Sequence, residues 1–467
     1  MSRIKNHTDT MNHNTKTLST SFLIPLIVFI EGFCSLGAEI VALRRLVPHV
    51  GSAIVVTAPT IGFFLLALAV GYATGGKVTE GHLTRVTRNF LLSAVVVGVG
   101  LAGPVVNAVF AYLQPGWLAY LFFVAVVLCP IAWLLGQTVP ILSNLMKHSH
   151  VGQASGTALY WSTLGSFLGS VSLSVIVMQH FGVSAAVVAC AFGLLLGAWL
   201  LQSRTWRHKL LPMCVGVGVI SVNLTPIAEA DTAYADYQVK AMDRPGHVNS
   251  RVFLSNNSLA SGIDDSTPPK VHPYIGHIRR TLLEDLGFRG REILVLGAGG
   301  FTLSQKELLN RYTYVDIDPA IRQSAEEHFL KGPIQGEFIA QDARRFVLDT
   351  SRHFDAVVVD VYSDRAAIPS HLVTKEFWQA TKRTLQPDGV LLANLVLDAR
   401  LASPYARNLL NTMESVYGRC ATEVLNKGQA WSNVVAVCHA RGRPTPRGIY
   451  TDEHNQVDLE KFAVGIR

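Results

Sequence analysis

Ile293-Leu-Val-Leu-Gly-Ala-Gly-Gly300 decides the reading of the C-terminal half. A short β-branched and leucine-rich run that stops at a glycine cluster is the pattern of a buried strand whose end comes close to a ligand. Working outward, further apolar runs recur: Tyr312–Val315, Phe338–Ile339, Ala356–Val359 and Val390–Asn394, then Thr422–Leu425 and Val434–Cys438. Helical stretches near 274–286 and 405–417 fall between or before them. This alternation predicts a doubly wound α/β sheet, with the glycine loop opening a helix after the first strand. Two earlier runs, Tyr237–Ala241 and Val252–Leu254, predict a small β unit in front.

In such sheets ligands bind at the carboxyl ends of the strands, and here those ends carry acids. Asp316 ends the second strand, 19 residues after Gly297, where a carboxylate can accept hydrogen bonds from ribose hydroxyls. Asp342 follows the third strand and is placed to meet an adenine amino group. Asp360 ends the fourth, with Asp364 just beyond. Gly297 and Gly299 let the backbone approach the ligand. The chain has no Walker lysine, which argues against a nucleoside triphosphate, and no full G-x-G-x-x-G, which argues against NAD. An adenosyl sulfonium fits these features best. No Cys or His spacing suggests a metal. The bland readings remain open: Asp360 as a capping or structural acid, Asp364 as a solvated loop acid and Tyr274 as a core residue.

The N-terminal half is different in kind. Seven apolar stretches, 21–43, 52–76, 89–112, 117–143, 155–179, 184–202 and 210–226, approach the roughly 20 residues that span a bilayer core. The last is the shortest, and with its basic flank and Ala228-Glu229-Ala230 it has the layout of a signal segment. Gly71-x-x-x-Gly75 and Gly165-x-x-x-Gly169 fit close helix packing. Glu31 and Glu39, about 80° apart around one helix, are ionisable groups at membrane depth. Cys34, Cys129, Cys190 and Cys214 are expected as packing residues.

The net charge of +7 belongs to this half. Residues 1–230 hold 12 Lys and Arg against 5 Asp and Glu, whereas residues 231–467 hold 28 of each. Nucleic-acid binding therefore has no support. Alternate loops carry ten basic residues on one side and only Arg44 and Arg45 on the other. The positive-inside rule then puts the N-terminus in the cytoplasm and, after seven crossings, the C-terminal half outside. Cys420 and Cys438 would meet oxidising conditions there and could pair.

The C-terminal motifs resemble those of the spermidine synthase family, which shares the class I S-adenosylmethionine-dependent methyltransferase fold, and in particular its bacterial membrane-fused members. The resemblance spans about residues 234–440. Val315-Asp-Ile-Asp318-Pro319 is similar to the family's ribose-binding strand and Gln341-Asp342-Ala343-Arg344 to its adenine-binding turn. Phe354–Asp360 is similar to the strand whose final Asp is the catalytic base. Thr374–Trp378 and Leu385–Val390 follow the same course. Four places depart. Gly300 stands where the family has an Asp that holds the aminopropyl amine. Tyr274-Ile-Gly276 lacks the Glu of the family's helix motif. Asp364 is displaced by one position, and Ser255-Asn256-Asn257 replaces a Leu-Asp-Gly turn.

The resemblance implies a transferase of polyamine metabolism. Asp360 and Asp364 would be catalytic, Tyr274 would hold the acceptor, and Gly297, Gly299, Asp316, Asp342 and Ala343 would bind the nucleoside. The co-substrate would be decarboxylated S-adenosylmethionine or S-adenosylmethionine, the acceptor a small amine or polyamine, with no metal. A nucleoside- or polyamine-binding domain that regulates the bundle, and a methyltransferase, are the alternatives. The expected organisation is a cytoplasmic tail (1–20), a membrane domain (21–227) in the bacterial inner membrane, the β unit with its linking helix (233–286), the nucleoside-binding domain (287–440) and a tail (441–467). A homo-oligomer is compatible with it. The conflict is one of place, because adenosyl sulfoniums are made in the cytoplasm.

Overall fold

The computed structural model describes residues 5–51, 54–146, 151–202, 206–224, 230–243, 245–362, 368–442 and 450–464, with the side chains of all except 5–21, 151, 206–209 and 462. The chain forms two units, Met1–Leu46 with Val56–Ile227, and Val47–Val55 with Ala228–Arg467.

The first unit is helical. Among the described residues, four helices are long and apolar enough to cross a membrane: Phe22–Val50, Ile54–Gly75, Gly116–Ser143 and Gly152–Leu201. His82–Gly100 and Gly103–Tyr112, bent by 67°, make a fifth when taken together, and Leu210–Asn223 is a shorter apolar helix. The 50-residue segment is not one rod. At Gly182 the backbone leaves helical geometry, with φ 82° and ψ 172°. Leu173 and Cys190, on either side of that break, both lie against Gly37: a Cβ there would stand 2.4 Å and 3.1 Å from them. The segment therefore folds back on itself at Gly182, dividing where two separate apolar stretches were expected.

Glycines set the packing distance in this unit. A Cβ on Gly165 would stand 2.1 Å from the Phe29 carbonyl oxygen, one on Gly169 2.2 Å from that of Phe33, and one on Gly32 2.0 Å from that of Ser162. Gly71, Gly75 and Gly136 form a second seam of the same kind between Ile54–Gly75 and Gly116–Ser143. Backbones that touch in this way gain van der Waals contact that lipid cannot replace. Beside the first seam, Glu31 is buried and accepts a hydrogen bond from Ser162 Oγ at 2.9 Å. Arg45, also buried, donates to the Leu101 carbonyl and to Ser184 Oγ. The outer surface is apolar, with Phe63, Leu66, Phe167, Phe181, Phe192 and Val217 exposed. Of the four cysteines, Cys34 and Cys190 are buried, Cys129 is half-buried and Cys214 is exposed, against the expectation of packing at that position.

The second unit opens with four antiparallel strands, β1 (Ala230–Asp231), β2 (Asp236–Ala241), β3 (Arg251–Ser255) and β4 (Ser258–Ile263). β3 and β4 are joined through Asn256 and Asn257, both at positive φ (50° and 59°), which a two-residue hairpin demands and Asn tolerates. The main sheet has seven strands: β5 (Glu292–Leu296), β6 (Arg311–Asp316), β7 (Glu337–Ala340), β8 (Phe354–Val359), β9 (Leu385–Asp398), β10 (Ala421–Val424) and β11 (Trp431–His439). Their spatial order is β10-β11-β9-β8-β5-β6-β7. β7, β6, β5, β8 and β9 are parallel, and β11 runs antiparallel to both of its neighbours.

Alternate residues on the central strands feed two cores. Leu294, Leu296, Val357, Val359 and Leu391 pack with Phe377, Trp378 and Tyr405. Ile293, Val295, Ala356, Val358 and Leu392 pack with Phe253, Ile278 and Phe329, which joins the small sheet to the large one. Cys420 and Cys438, at the adjoining ends of β10 and β11, form a disulfide with a Cα separation of 4.5 Å.

One expectation fails here. No helix follows β5: residues 297–310 are a series of turns. Phe301 and Lys306 sit at φ 55° and 56°, which breaks any helical run across the connection to β6.

The seams give a direct test. Gly165→Val in the full chain should lower the thermal midpoint in detergent, at a cost of about 1–3 kcal/mol for overpacking. Gly62→Ala, where nothing lies within 4 Å, should leave the midpoint unchanged. Equal midpoints for Gly165→Val and wild type would refute backbone contact at this seam.

Candidate active site

The order of strands reverses between β5 and β8, and a crevice opens there at the carboxyl ends. Gly297 occupies it. Its N–H donates to the Val315 carbonyl at 2.9 Å, while a Cβ on it would stand 2.1 Å from the Asp360 carbonyl oxygen. With φ at 88° as well, the position admits only glycine. Gly299, at φ 50°, turns the loop again under Ala260 of β4.

Asp316 is tied to that loop. Its Oδ2 accepts from Ala298 N at 2.9 Å and its Oδ1 from Asp318 N at 3.1 Å. Burial, only partly offset by these bonds, lifts its pKa to about 6. Asp318 itself is structural. It is buried and accepts from Tyr237 OH, Thr232 Oγ1 and Ala320 N, so it anchors the small sheet. Just after the next strand, β7, Asp342 caps the helix Ala343–Asp349 by accepting from Arg345 N at 2.9 Å, and His371 Nε2 lies 3.6 Å from its other oxygen. Ala343 is the buried first residue of that helix.

Asp360 is the centre of the site. Tyr274 OH donates to its Oδ2 at 2.8 Å and Asn394 Nδ2 to its Oδ1 at 2.8 Å. Burial raises its pKa to about 6 against the opposing effect of both bonds. Tyr274 is carried on the helix Pro273–Arg280, and its hydroxyl also lies 3.0 Å from the Ala260 carbonyl. Desolvation, together with the neighbouring carboxylate, holds that hydroxyl neutral. Neither Asp316 nor Asp360 has an ion-pair partner among the described residues. Two half-buried carboxylates without a countercharge favour a cationic ligand.

Of the residues expected from sequence, Gly297, Gly299, Asp316, Tyr274 and Asp360 are joined through this loop and crevice, and Asp342 and Ala343 lie one strand further along. Asp364 falls outside the described residues. The structure adds Asn394, Asn433 and Tyr362. Asn433 Nδ2 donates to Asn394 Oδ1 at 3.0 Å, and Tyr362 OH to the Asn394 carbonyl at 2.7 Å. A signal for Asn394 was present, since an amide ends the apolar run Val390-Leu-Leu-Ala at the ligand edge.

Gly300 has a structural reason. A Cβ there would stand 2.3 Å from the Phe329 ring and 2.8 Å from Ser261 Cβ. The space for a longer side chain is filled, with Ser261 and Thr302 hydroxyls paired at 2.7 Å beside it. Gly300→Asp should therefore destabilise the protein, by about 1–3 kcal/mol or more, and lower the urea midpoint. A variant as stable as wild type would show that this pocket is open.

Residues 269–439 match the spermine/spermidine synthase domain. Polyamine aminopropyltransferase 1 of Streptomyces coelicolor is 23% identical over 431 residues, covering 82% of this chain and 76% of its own. That share exceeds the second unit alone, so the likeness reaches into the helical unit. A polyamine aminopropyltransferase of Sulfurisphaera tokodaii is 35% identical over 172 residues, 34% of this chain and 53% of its own. Among solved structures, a probable spermidine synthase from Corynebacterium glutamicum aligns with a TM-score of 0.40 at 19% identity, over 51% of this chain and 86% of that one.

Proposed function

We propose, on the premise that the C-terminal unit is a spermidine synthase-like domain, that this chain is a membrane-anchored aminopropyltransferase acting on decarboxylated S-adenosylmethionine and an amine. The observation that carries this reading is Asp360. It is a half-buried carboxylate held by two neutral donors, with no ion-pair partner among the described residues, at the point where the glycine loop crosses the sheet.

The chemistry follows from that placement. The adenosyl group would lie along Gly297 and Gly299, its ribose on Asp316 and its base beside Asp342 and Ala343. Asp360 accepts a proton from the acceptor ammonium. The freed nitrogen lone pair attacks the methylene next to the sulfonium, the C–S bond breaks, and its electron pair stays on sulfur as a neutral thioether. Tyr274 orients the carboxylate and the acceptor, and Asp364 is assigned to hold the acceptor as well. Most of the acceleration comes from alignment and from a negative charge fixed beside the reacting cations.

The pKa shifts fix the pH dependence. Asp360 accepts a proton only when ionised, so kcat should fall as pH drops through about 6. Ribose recognition also needs Asp316 ionised, with its own value near 6, so kcat/KM should fall more steeply below that pH than kcat does. Purified full chain, given decarboxylated S-adenosylmethionine and a panel of diamines, should yield an aminopropylated product and the thioether nucleoside by mass spectrometry. Asp360→Asn should lower kcat at least 100-fold. Undiminished turnover by that variant would remove Asp360 from the mechanism. Nucleoside binding with no transfer to any amine would favour a binding domain.

We further propose that the helical unit crosses the inner membrane seven times and leaves the catalytic unit outside the cytoplasm, which requires the adenosyl sulfonium, made in the cytoplasm, to reach it there. The exposed apolar face, the loop-charge asymmetry and the Cys420–Cys438 bridge support it. In intact cells Cys420 and Cys438 should resist a thiol reagent until a reductant is added. Free thiols at both positions without reductant would argue for a cytoplasmic catalytic unit.

A further inference from the structure

We propose that Asn394, itself held by Asn433, is a positioning residue for Asp360: it fixes the carboxylate in one orientation and stabilises its ionised form. The inference rests on the transfer reading above for its purpose, but not for its geometry.

The three side chains form a directed chain. Asn433 Nδ2 donates to Asn394 Oδ1 at 3.0 Å, and Asn394 Nδ2 donates to Asp360 Oδ1 at 2.8 Å. Strand pairing explains how they meet. Asn394 on β9 lies opposite Val435 on β11, and Asn433, two residues before it, is the diagonal neighbour on the same face. A terminal amide torsion is otherwise broad and nearly two-fold. Here Asn433 occupies the oxygen, so the N–H of Asn394 must face the carboxylate. The reversed amide would set oxygen against oxygen. Asn394 is buried and its backbone carbonyl is tied to Tyr362 OH, so the residue has little freedom to move away.

The other donor on Asp360 is less committed. Tyr274 has one hydroxyl proton and two acceptors, Asp360 Oδ2 at 2.8 Å and the Ala260 carbonyl at 3.0 Å. The titratable groups that face Asp360 are Tyr274, from the helix before the sheet, and Tyr362, just after β8. Desolvation keeps both neutral. The glycine loop presents backbone, and β9 and β11 present the two amides. Asp364 and Arg365, which follow β8 in the sequence, lie outside the described residues. Among the described residues, the amide relay is thus the contact on Asp360 with a donor that no second acceptor shares.

The test needs a readout that simple packing would not move. Infrared difference spectra of the full chain in detergent, titrated with pH, give the protonation midpoint of Asp360 as the carboxyl band that Asp360→Asn removes. Wild type should titrate near 6. Asn394→Leu keeps the shape and removes the donor, and should raise the midpoint by about one unit. Asn433→Leu, at a half-exposed site that spares the core, should shift it in the same direction by less, and the double variant should add little. The acid limb of kcat should move with the midpoint. An unchanged midpoint in either folded variant overturns the proposal. If the midpoint moves as expected while the wild type transfers nothing to any amine, the relay stands and the transfer reading fails.

Discussion

The contact between Gly297 and the carbonyl of Asp360 is the constraint on which the site depends. The ends of β5 and β8 come so close that no side chain fits between them. From that point the loop turns through Ala298, whose N–H holds Asp316, and Gly299, which passes under β4. The same crossing leaves the Asp360 side chain at the mouth of the crevice, where Tyr274 and Asn394 reach it from two other elements. A larger residue at Gly297 would separate the two strands and displace both acids together. The site is therefore a consequence of sheet topology at one point, with side chains added from its borders.

Much of this was legible beforehand because buried parallel strands have a strong signature. Val357-Val-Val359 and Ile293–Leu296 could hardly be anything else in a chain whose acids recur at the strand ends. The loop after β5 was misread as a helix opening because glycine clusters before helices are common and nothing in the local composition marks Phe301 and Lys306 as left-handed. Gly300 stands out in the sequence as a departure from the pattern it resembles, but the cause of the glycine lies in Phe329 and Ser261, residues 29 and 39 positions away. Asn394 and Asn433 were missed for a related reason. Asn394 ends an apolar run at the ligand edge, but Asn433 meets it only through the antiparallel pairing of β9 and β11, and no local pattern predicts that register.

The two units solve different packing problems. In the second, large aromatic side chains fill the space on both faces of a sheet, and burial of apolar area stabilises the fold. In the first, glycines at Gly32, Gly165 and Gly169 remove side chains altogether so that helix backbones touch. An apolar exterior around such a seam is the arrangement expected where the surrounding medium is itself apolar. Position 300 brings no carboxylate to this pocket, and the neutral hydroxyl pair of Ser261 and Thr302 lies beside it. Asp316 and Asp360 are then the half-buried carboxylates offered to a cationic ligand among the described residues of the crevice.

The central claim is that this crevice holds an adenosyl thioether or sulfonium through the glycine loop and Asp316. It is tested most directly by calorimetric titration of the purified full chain with methylthioadenosine, the thioether that aminopropyl transfer would release. The account predicts saturable one-to-one binding that Asp316→Ala weakens at least tenfold, while Asp342→Ala, one strand further along, weakens it less. Absence of binding by the wild-type chain, or equal affinity in Asp316→Ala, would contradict it.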